Sequence, residues 1–144
     1  MEPRNRITCL LLSLLAFSPF GTLAQTNRPL ESSKEFIHEA SLAWQRTGNG
    51  SLHTEEGFVI RATGTILALP SQHEEHSLKL PPIGDAVAFL HTHNDWYGPR
   101  PSKQDVAVAR KLHISVYVLS KSGLLKITPD GNIVQLEKGT AFLR

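Results

Sequence analysis

A continuous apolar run at residues 86–91 (AVAFLH), which ends in a histidine, constrains the fold of this chain more than any other part of its sequence. Such a run is typical of a strand that is buried on both faces in the centre of an α/β sheet, where the usual alternation of apolar and polar side chains is lost. Residues 114–119 (ISVYVL) form a second run of this kind. We therefore predict two buried central strands.

The segments around these two strands predict helices and hairpins. A Ser-x-x-Glu capping box at Ser32–Glu35, followed by apolar residues at helical spacing, indicates the start of a helix. In chain order, the predicted elements are a helix from Ser32 that ends at Gly48-Asn49-Gly50, a hairpin of residues 58–61 and 65–69, the strand 86–91, a helix that begins at Ser102, the strand 114–119, and a hairpin of residues 124–128 and 132–136. This order predicts one α/β domain over residues 32–144, with a single mixed β-sheet flanked by helices.

The first 24 residues differ in character from the rest of the chain. A positively charged start is followed by the apolar residues 7–17 and by small residues at Thr22 and Ala24. This pattern predicts a secretory signal peptide at residues 1–24, and hence a periplasmic or secreted protein. An uncleaved membrane anchor is the alternative, but the run is shorter than the roughly 20 residues that a spanning helix needs. Residues 25–31 are polar, and we expect a disordered lead-in there.

Composition limits the partners and the metal ligands that are available. The chain has 15 Lys and Arg against 13 Asp and Glu, and removal of Glu2, Arg4 and Arg6 with the leader leaves a net charge of about +1. No basic stripe stands out, so we expect no nucleic-acid partner. The single cysteine, Cys9, belongs to the leader. A metal site in the remaining 120 residues must therefore use histidines and carboxylates.

The end of the first buried strand carries residues that suit a metal site. His91 and His93 are two residues apart, so on a strand both imidazoles point to the same side and can approach one ion. After eight intervening residues, Ser102 begins a helix whose first turn carries Asp105. That carboxylate could complete a set of three ligands with the fourth position open to water, as in catalytic zinc sites.

Each half of this pattern also has a purely structural interpretation. A His-x-His sequence on its own is more often non-catalytic than catalytic. Ser102 and Asp105 are also a good helix N-cap and first-turn acid. The two roles are compatible, because a capped helix start is a rigid place for a ligand.

The combined pattern resembles a known signature. His91-Thr92-His93, eight residues and Ser102-Lys103-Gln104-Asp105 are similar to the H-x-H…S-x-x-D motif of the JAB/MPN (JAMM) zinc metallopeptidases, and residues 89–128 resemble the short bacterial members of that family. The resemblance implies a JAB/MPN-like, cytidine-deaminase-like fold with one Zn²⁺ ion held by His91, His93 and Asp105. It further implies that a zinc-bound water is the nucleophile and that Ser102 helps to hold the oxyanion of the reaction.

The resemblance also implies a glutamate on an earlier strand that shuttles a proton. Residues 55–60 (EEGFVI) are similar to the E-x-G-x-x-I pattern of bacterial members, and we match Glu55 to the catalytic acid. Glu56 is the alternative, since it points to the opposite face of the strand and the sequence does not fix the register. Both glutamates could also be solvated residues at a strand start.

The predicted function is therefore a zinc-dependent hydrolase that cleaves an amide or isopeptide bond of a peptide or protein, including cell-wall peptides, in an exported compartment. We expect no membrane span after removal of the leader. The alternative is a non-catalytic binding module of the same fold that recognises a protein or cell-wall partner. A metal-dependent phosphoesterase is a third interpretation, but it requires further His and Asp clusters on a barrel of about 250 residues.

Three further features of the sequence are less specific. Residues 73–76 (HEEH) lack the H-E-x-x-H order of a metal site, and we interpret them as solvated loop. Trp96 and Tyr97, in the loop after His93, could form one wall of a substrate cleft or could pack that loop against the domain. His53 has no evident partner in the sequence.

Overall fold

The computed structural model describes residues 28–70, 82–96 and 98–144. Its elements are α1 (Lys34–Arg46), β1 (Gly57–Arg61), β2 (Ile66–Ala68), β3 (Ala86–Thr92), α2 (Lys103–Leu112), β4 (Ser115–Ser120), β5 (Gly123–Ile127) and β6 (Ile133–Lys138), with short 3₁₀ helices at Leu30–Ser32 and Ala141–Leu143. The predicted order of helices and strands is confirmed. The predicted signal peptide, residues 73–76 and Tyr97 lie outside the described residues.

The six strands form one mixed sheet in the order β2-β1-β3-β4-β5-β6. Strands β3 and β4 are parallel, and every other neighbouring pair is antiparallel. The two apolar runs thus occupy the two central positions of the sheet. This arrangement confirms the prediction of an α/β domain with a single mixed sheet.

Alternation of side chains along the strands divides the core into two layers. Helix α1 covers one face of the sheet, where Phe36 packs edge-on against Phe58 and Tyr117, with ring centroids 5.5 and 5.0 Å away. On the other face, Ala109 of α2 packs in a cluster with Phe89 of β3 and with buried residues of β1, β4 and β5. Because both layers draw on β3, most of that strand is buried, which explains its continuous apolar sequence.

Helix α1 begins one residue later than the capping box at Ser32 predicts. Ser32 belongs to a 3₁₀ turn in which its amide donates to the carbonyl of Pro29. Ser33 is the N-cap, and its hydroxyl accepts a hydrogen bond from the amide of Phe36 at 3.1 Å. In the preceding turn Glu31 accepts a hydrogen bond from the Tyr117 hydroxyl at 2.8 Å. Glu31, which the sequence assigns to the lead-in, is therefore bonded to the core of the domain.

Within residues 28–70, 82–96 and 98–144, no helix combines the length and the apolar character that crossing a membrane requires.

Candidate metal centre

The two histidines lie at the carboxyl end of β3, in the middle of the sheet. His91 is paired with Gly57 of β1 on one side and with Val118 of β4 on the other. His93 follows the last residue of the strand, and its amide donates to the carbonyl of Leu119 at 2.7 Å. Both side chains are buried, with 4% of the surface of His91 and 6% of that of His93 exposed. Backbone pairing to the neighbouring strands therefore fixes the main-chain positions from which both imidazoles project.

Asp105 is fixed by the start of α2. The Ser102 hydroxyl accepts from the Asp105 amide at 3.1 Å, and the Asp105 carboxylate accepts from the Ser102 amide at 2.6 Å. This reciprocal capping box satisfies two of the amides that a helix start leaves without partners. The predicted N-cap role of Ser102 is thereby confirmed, and the carboxylate is held in one position.

The side chains of His91, His93 and Asp105 converge on one point. The His91 Nε2 atom lies 3.2 Å from His93 Nε2 and 3.2 Å from Asp105 Oδ1, and His93 Nε2 lies 3.7 Å from Asp105 Oδ2. Zinc bonds of about 2.0–2.1 Å in a tetrahedron place the ligand atoms about 3.3–3.4 Å apart. The three predicted ligands thus lie close enough to bind one metal ion. Among the described residues, they are the one group of three His, Cys, Asp or Glu side chains with this spacing.

The two possible positions of the proton on a neutral His91 are also compatible with a cation at the point where the three side chains converge. A neutral imidazole has one N–H. A proton on Nε2 would serve Asp105 but would leave Nδ1 as a buried acceptor, and Nδ1 has no hydrogen-bond partner among the described residues. A proton on Nδ1 would instead leave the Nε2 lone pair facing His93 and the Asp105 carboxylate. In this second tautomer the lone pairs and the carboxylate repel one another, and a metal ion bound to all three ligand atoms would remove that repulsion.

The second nitrogen of His93 has a partner that orients the ring. His93 Nδ1 lies 3.3 Å from the carbonyl oxygen of Gly98 in the following loop. An Nδ1–H that donates to this carbonyl leaves the Nε2 lone pair directed at the point of convergence. Metal-binding histidines are commonly oriented by such a hydrogen bond to a backbone carbonyl.

The pKa shifts favour the protonation states that bind metals. Burial, followed by the electrostatic effect of the neighbouring His91 ring, lowers the pKa of His93 to about 4. Burial tends to raise the pKa of Asp105, but hydrogen bonds from His91 and Ser102 outweigh it and hold that pKa well below its ordinary value. At neutral pH His93 is therefore neutral and Asp105 is charged, as metal ligation requires.

Register separates Glu55 from Glu56. The amide of Glu56 donates to the Thr92 hydroxyl and its carbonyl accepts from the Thr92 amide, both at 2.9 Å, so these two residues lie opposite each other. The Glu56 carboxylate lies 3.6 Å from an Arg46 nitrogen of α1, on the face that α1 covers. Alternation then places Glu55 opposite His93, on the face that carries both histidines. Both glutamates are buried rather than solvated, and the register favours Glu55 as the acid near the metal ligands.

The contacts of the loop after His93 could not be predicted from the sequence. The Asp95 amide donates to the carbonyl of Gly50 at 3.1 Å, and the Trp96 ring stacks on His53 with centroids 5.0 Å apart. Sequence analysis assigned no role to His53 or Arg46. No local signal could have identified them, since each contacts a residue that is distant in the chain.

Comparison of the chain with protein-family models, with curated proteins and with solved structures gave no match in any of the three. The assignment of a function to this site therefore depends on its motif and geometry.

Proposed function

We propose that this protein is a zinc-dependent hydrolase of the JAB/MPN type that cleaves amide bonds in peptides or proteins outside the cytoplasm. The observation that carries the proposal is the convergence of His91, His93 and Asp105, with ligand atoms 3.2–3.7 Å apart at the carboxyl edge of the sheet. Open α/β sheets commonly bind their ligands at this edge. Two additional features, the Ser102 cap and the buried Glu55, match the pattern of that family.

The ligand set suits zinc in a catalytic role. Two imidazoles and one carboxylate are three protein ligands, the number that catalytic zinc sites use while the fourth position stays open. Bound zinc acts as a Lewis acid that brings the pKa of a water molecule to near 7 and polarises a carbonyl group. A phosphoesterase is less well supported, because no additional cluster of potential metal ligands accompanies these three among the described residues.

Glu55 and Ser102 supply the remaining chemistry in this proposal. Glu55, on the same face as the histidines, takes a proton from the attacking water and passes it to the leaving amine. The Ser102 oxygen accepts a hydrogen bond from the Asp105 amide. Its own O–H group donates a hydrogen bond to the oxyanion that forms on the substrate carbonyl. One such donor typically contributes about 3–4 kcal/mol to stabilisation of the transition state.

The metal site is tested by the zinc content of the purified chain. We expect one zinc ion per molecule in the wild type and in His38→Ala, a control at an exposed histidine of α1. His93→Ala removes one of the three ligands and should abolish stoichiometric zinc binding. A wild-type protein that binds no divalent metal would refute the proposal.

Catalysis is tested by a matched pair of glutamate variants on a library of quenched fluorescent peptides. Glu55→Gln should retain zinc and lose turnover, because the amide cannot accept the proton. Glu56→Gln changes a carboxylate that lies on the α1 face beside Arg46, so it should retain turnover. A zinc-loaded wild type that cleaves no peptide would instead favour the non-catalytic binding module.

A further inference from the structure

Trp96 is the most exposed large hydrophobic side chain in the part of the chain that the structure describes, with 72% of its surface accessible. It follows His93 by three residues, so the two Cα atoms are at most about 11 Å apart. A large apolar surface is therefore exposed to water beside the candidate metal centre. Of the two roles that the sequence leaves open for Trp96, packing of the loop does not explain this exposure.

The exposed indole is nevertheless held by its loop. The Asn94 side-chain oxygen accepts a hydrogen bond from the Trp96 amide at 3.0 Å. Asp95 is bonded through its amide to Gly50, and its carboxylate lies 3.6 Å from the Lys121 ammonium. The loop is thus tied to both neighbouring segments of the domain, and the position of Trp96 is defined by these contacts.

His53 supports one side of the indole. The two rings are stacked, with centroids 5.0 Å apart and an interplanar angle of 26°. His53 precedes Glu55 by two residues, so the stack joins the loops that flank Glu55 and His93. Because 72% of the Trp96 surface stays exposed with His53 against one ring face, most of the indole is accessible to a ligand.

We propose that Trp96, supported by His53, is the platform that binds a large apolar or aromatic side chain of a peptide next to the scissile bond. This inference rests on the proposed function. An indole offers a large, rigid apolar surface at little conformational cost, and aromatic or aliphatic side chains cover such a surface well. Since the Cα atoms of Trp96 and His93 are at most about 11 Å apart, one extended peptide is long enough to contact both the indole and the metal ligands. In this proposal Trp96 therefore sets the preference for the side chain beside the scissile bond.

The test compares two zinc-binding probes on the full chain loaded with zinc. One is a dipeptide hydroxamate with a phenylalanine side chain, and the other is the same compound with alanine. By calorimetry we expect the phenylalanine compound to bind the wild type about tenfold more tightly, the size of effect that a well-placed tryptophan contact gives. Trp96→Ala should lose this preference, whereas Trp96→Phe should retain most of it.

Ile133→Ala is the control, because Ile133 is also exposed, at 51%, but lies on the edge strand β6. It should keep the tenfold preference. Equal binding of the two compounds by the wild type, or an unchanged preference in Trp96→Ala, would overturn the inference and leave the metal site standing. Failure of both compounds to bind the zinc-loaded wild type would overturn the proposed function and this inference with it.

Discussion

The Ser102 side chain caps a helix, and we propose that it also contacts the substrate; the two roles can be tested by different measurements. Its oxygen caps α2 and orients Asp105, while its proton is available for the substrate in the proposed reaction. Local spacing predicted the cap, whereas the resemblance to the JAB/MPN signature implied the oxyanion contact. The i, i+2 relation of His91 and His93 and the first-turn position of Asp105 are likewise local, and the structure confirms that the three side chains meet.

Substitution of Ser102 separates the cap from the oxyanion contact. Ser102→Ala should lower kcat by about 100-fold, because the donor is lost. It should also lower the free energy of unfolding by about 1 kcal/mol, because the cap is lost. Ser102→Thr keeps the hydroxyl and should retain most of both quantities. Steady-state kinetics and urea unfolding measure them, and a Ser102→Ala variant with wild-type kcat would show that Ser102 is only a cap.

At the level of elements, the contacts that the sequence could not predict join segments far apart in the chain. Glu31 accepts hydrogen bonds from Tyr117 of β4 at 2.8 Å and from Lys126 of β5 at 3.4 Å, and so connects the first turn of the domain to the middle of the sheet. Burial, followed by this hydrogen bond, raises the pKa of Tyr117 far above its ordinary value. No periodicity or motif indicates a partner 86 residues away. The expected lead-in therefore ends earlier than composition suggests.

A double-mutant cycle tests the contribution of this contact. Tyr117→Phe removes a buried donor to a carboxylate and should lower the free energy of unfolding by about 1–2 kcal/mol. Glu31→Gln should have a similar effect, and the double variant should lose less than the sum of the two. Additive losses in urea unfolding would show that the hydroxyl and the carboxylate do not stabilise each other.

At the level of the whole molecule, the sequence predicted those parts of the fold in which burial requires a strand to be apolar. The apolar runs of β3 and β4 marked the centre of the sheet, because a strand covered by a helix on each face needs few polar residues. Pairing across the sheet was harder to anticipate. The register that places Glu56 beside Thr92 and Arg46, and Glu55 on the histidine face, depends on which strands are neighbours. The sequence alone left that choice open.

Burial of the metal ligands predicts a pH dependence for the stability of the metal-free protein. His93 has a pKa of about 4 in the folded state against its ordinary value of 6.5. Between these values the unfolded chain binds a proton that the folded protein does not, so stability is full above pH 6.5 and falls as the pH approaches 4. With a chelator present, lowering the pH from 7 to 4.5 should cost the wild type about 2 kcal/mol more than His93→Gln. Equal losses in urea unfolding would contradict the burial of a neutral His93.

The central claim is that two imidazoles and one carboxylate bind a single zinc ion, and X-ray absorption at the zinc edge tests it most directly. The zinc-loaded protein should show four nitrogen or oxygen ligands at about 2.0–2.1 Å, with outer-shell scattering from two imidazole rings. Asp105→Asn should alter this shell while both rings remain. A shell with no imidazole scattering, or with the same scattering in His91→Ala as in the wild type, would contradict the account.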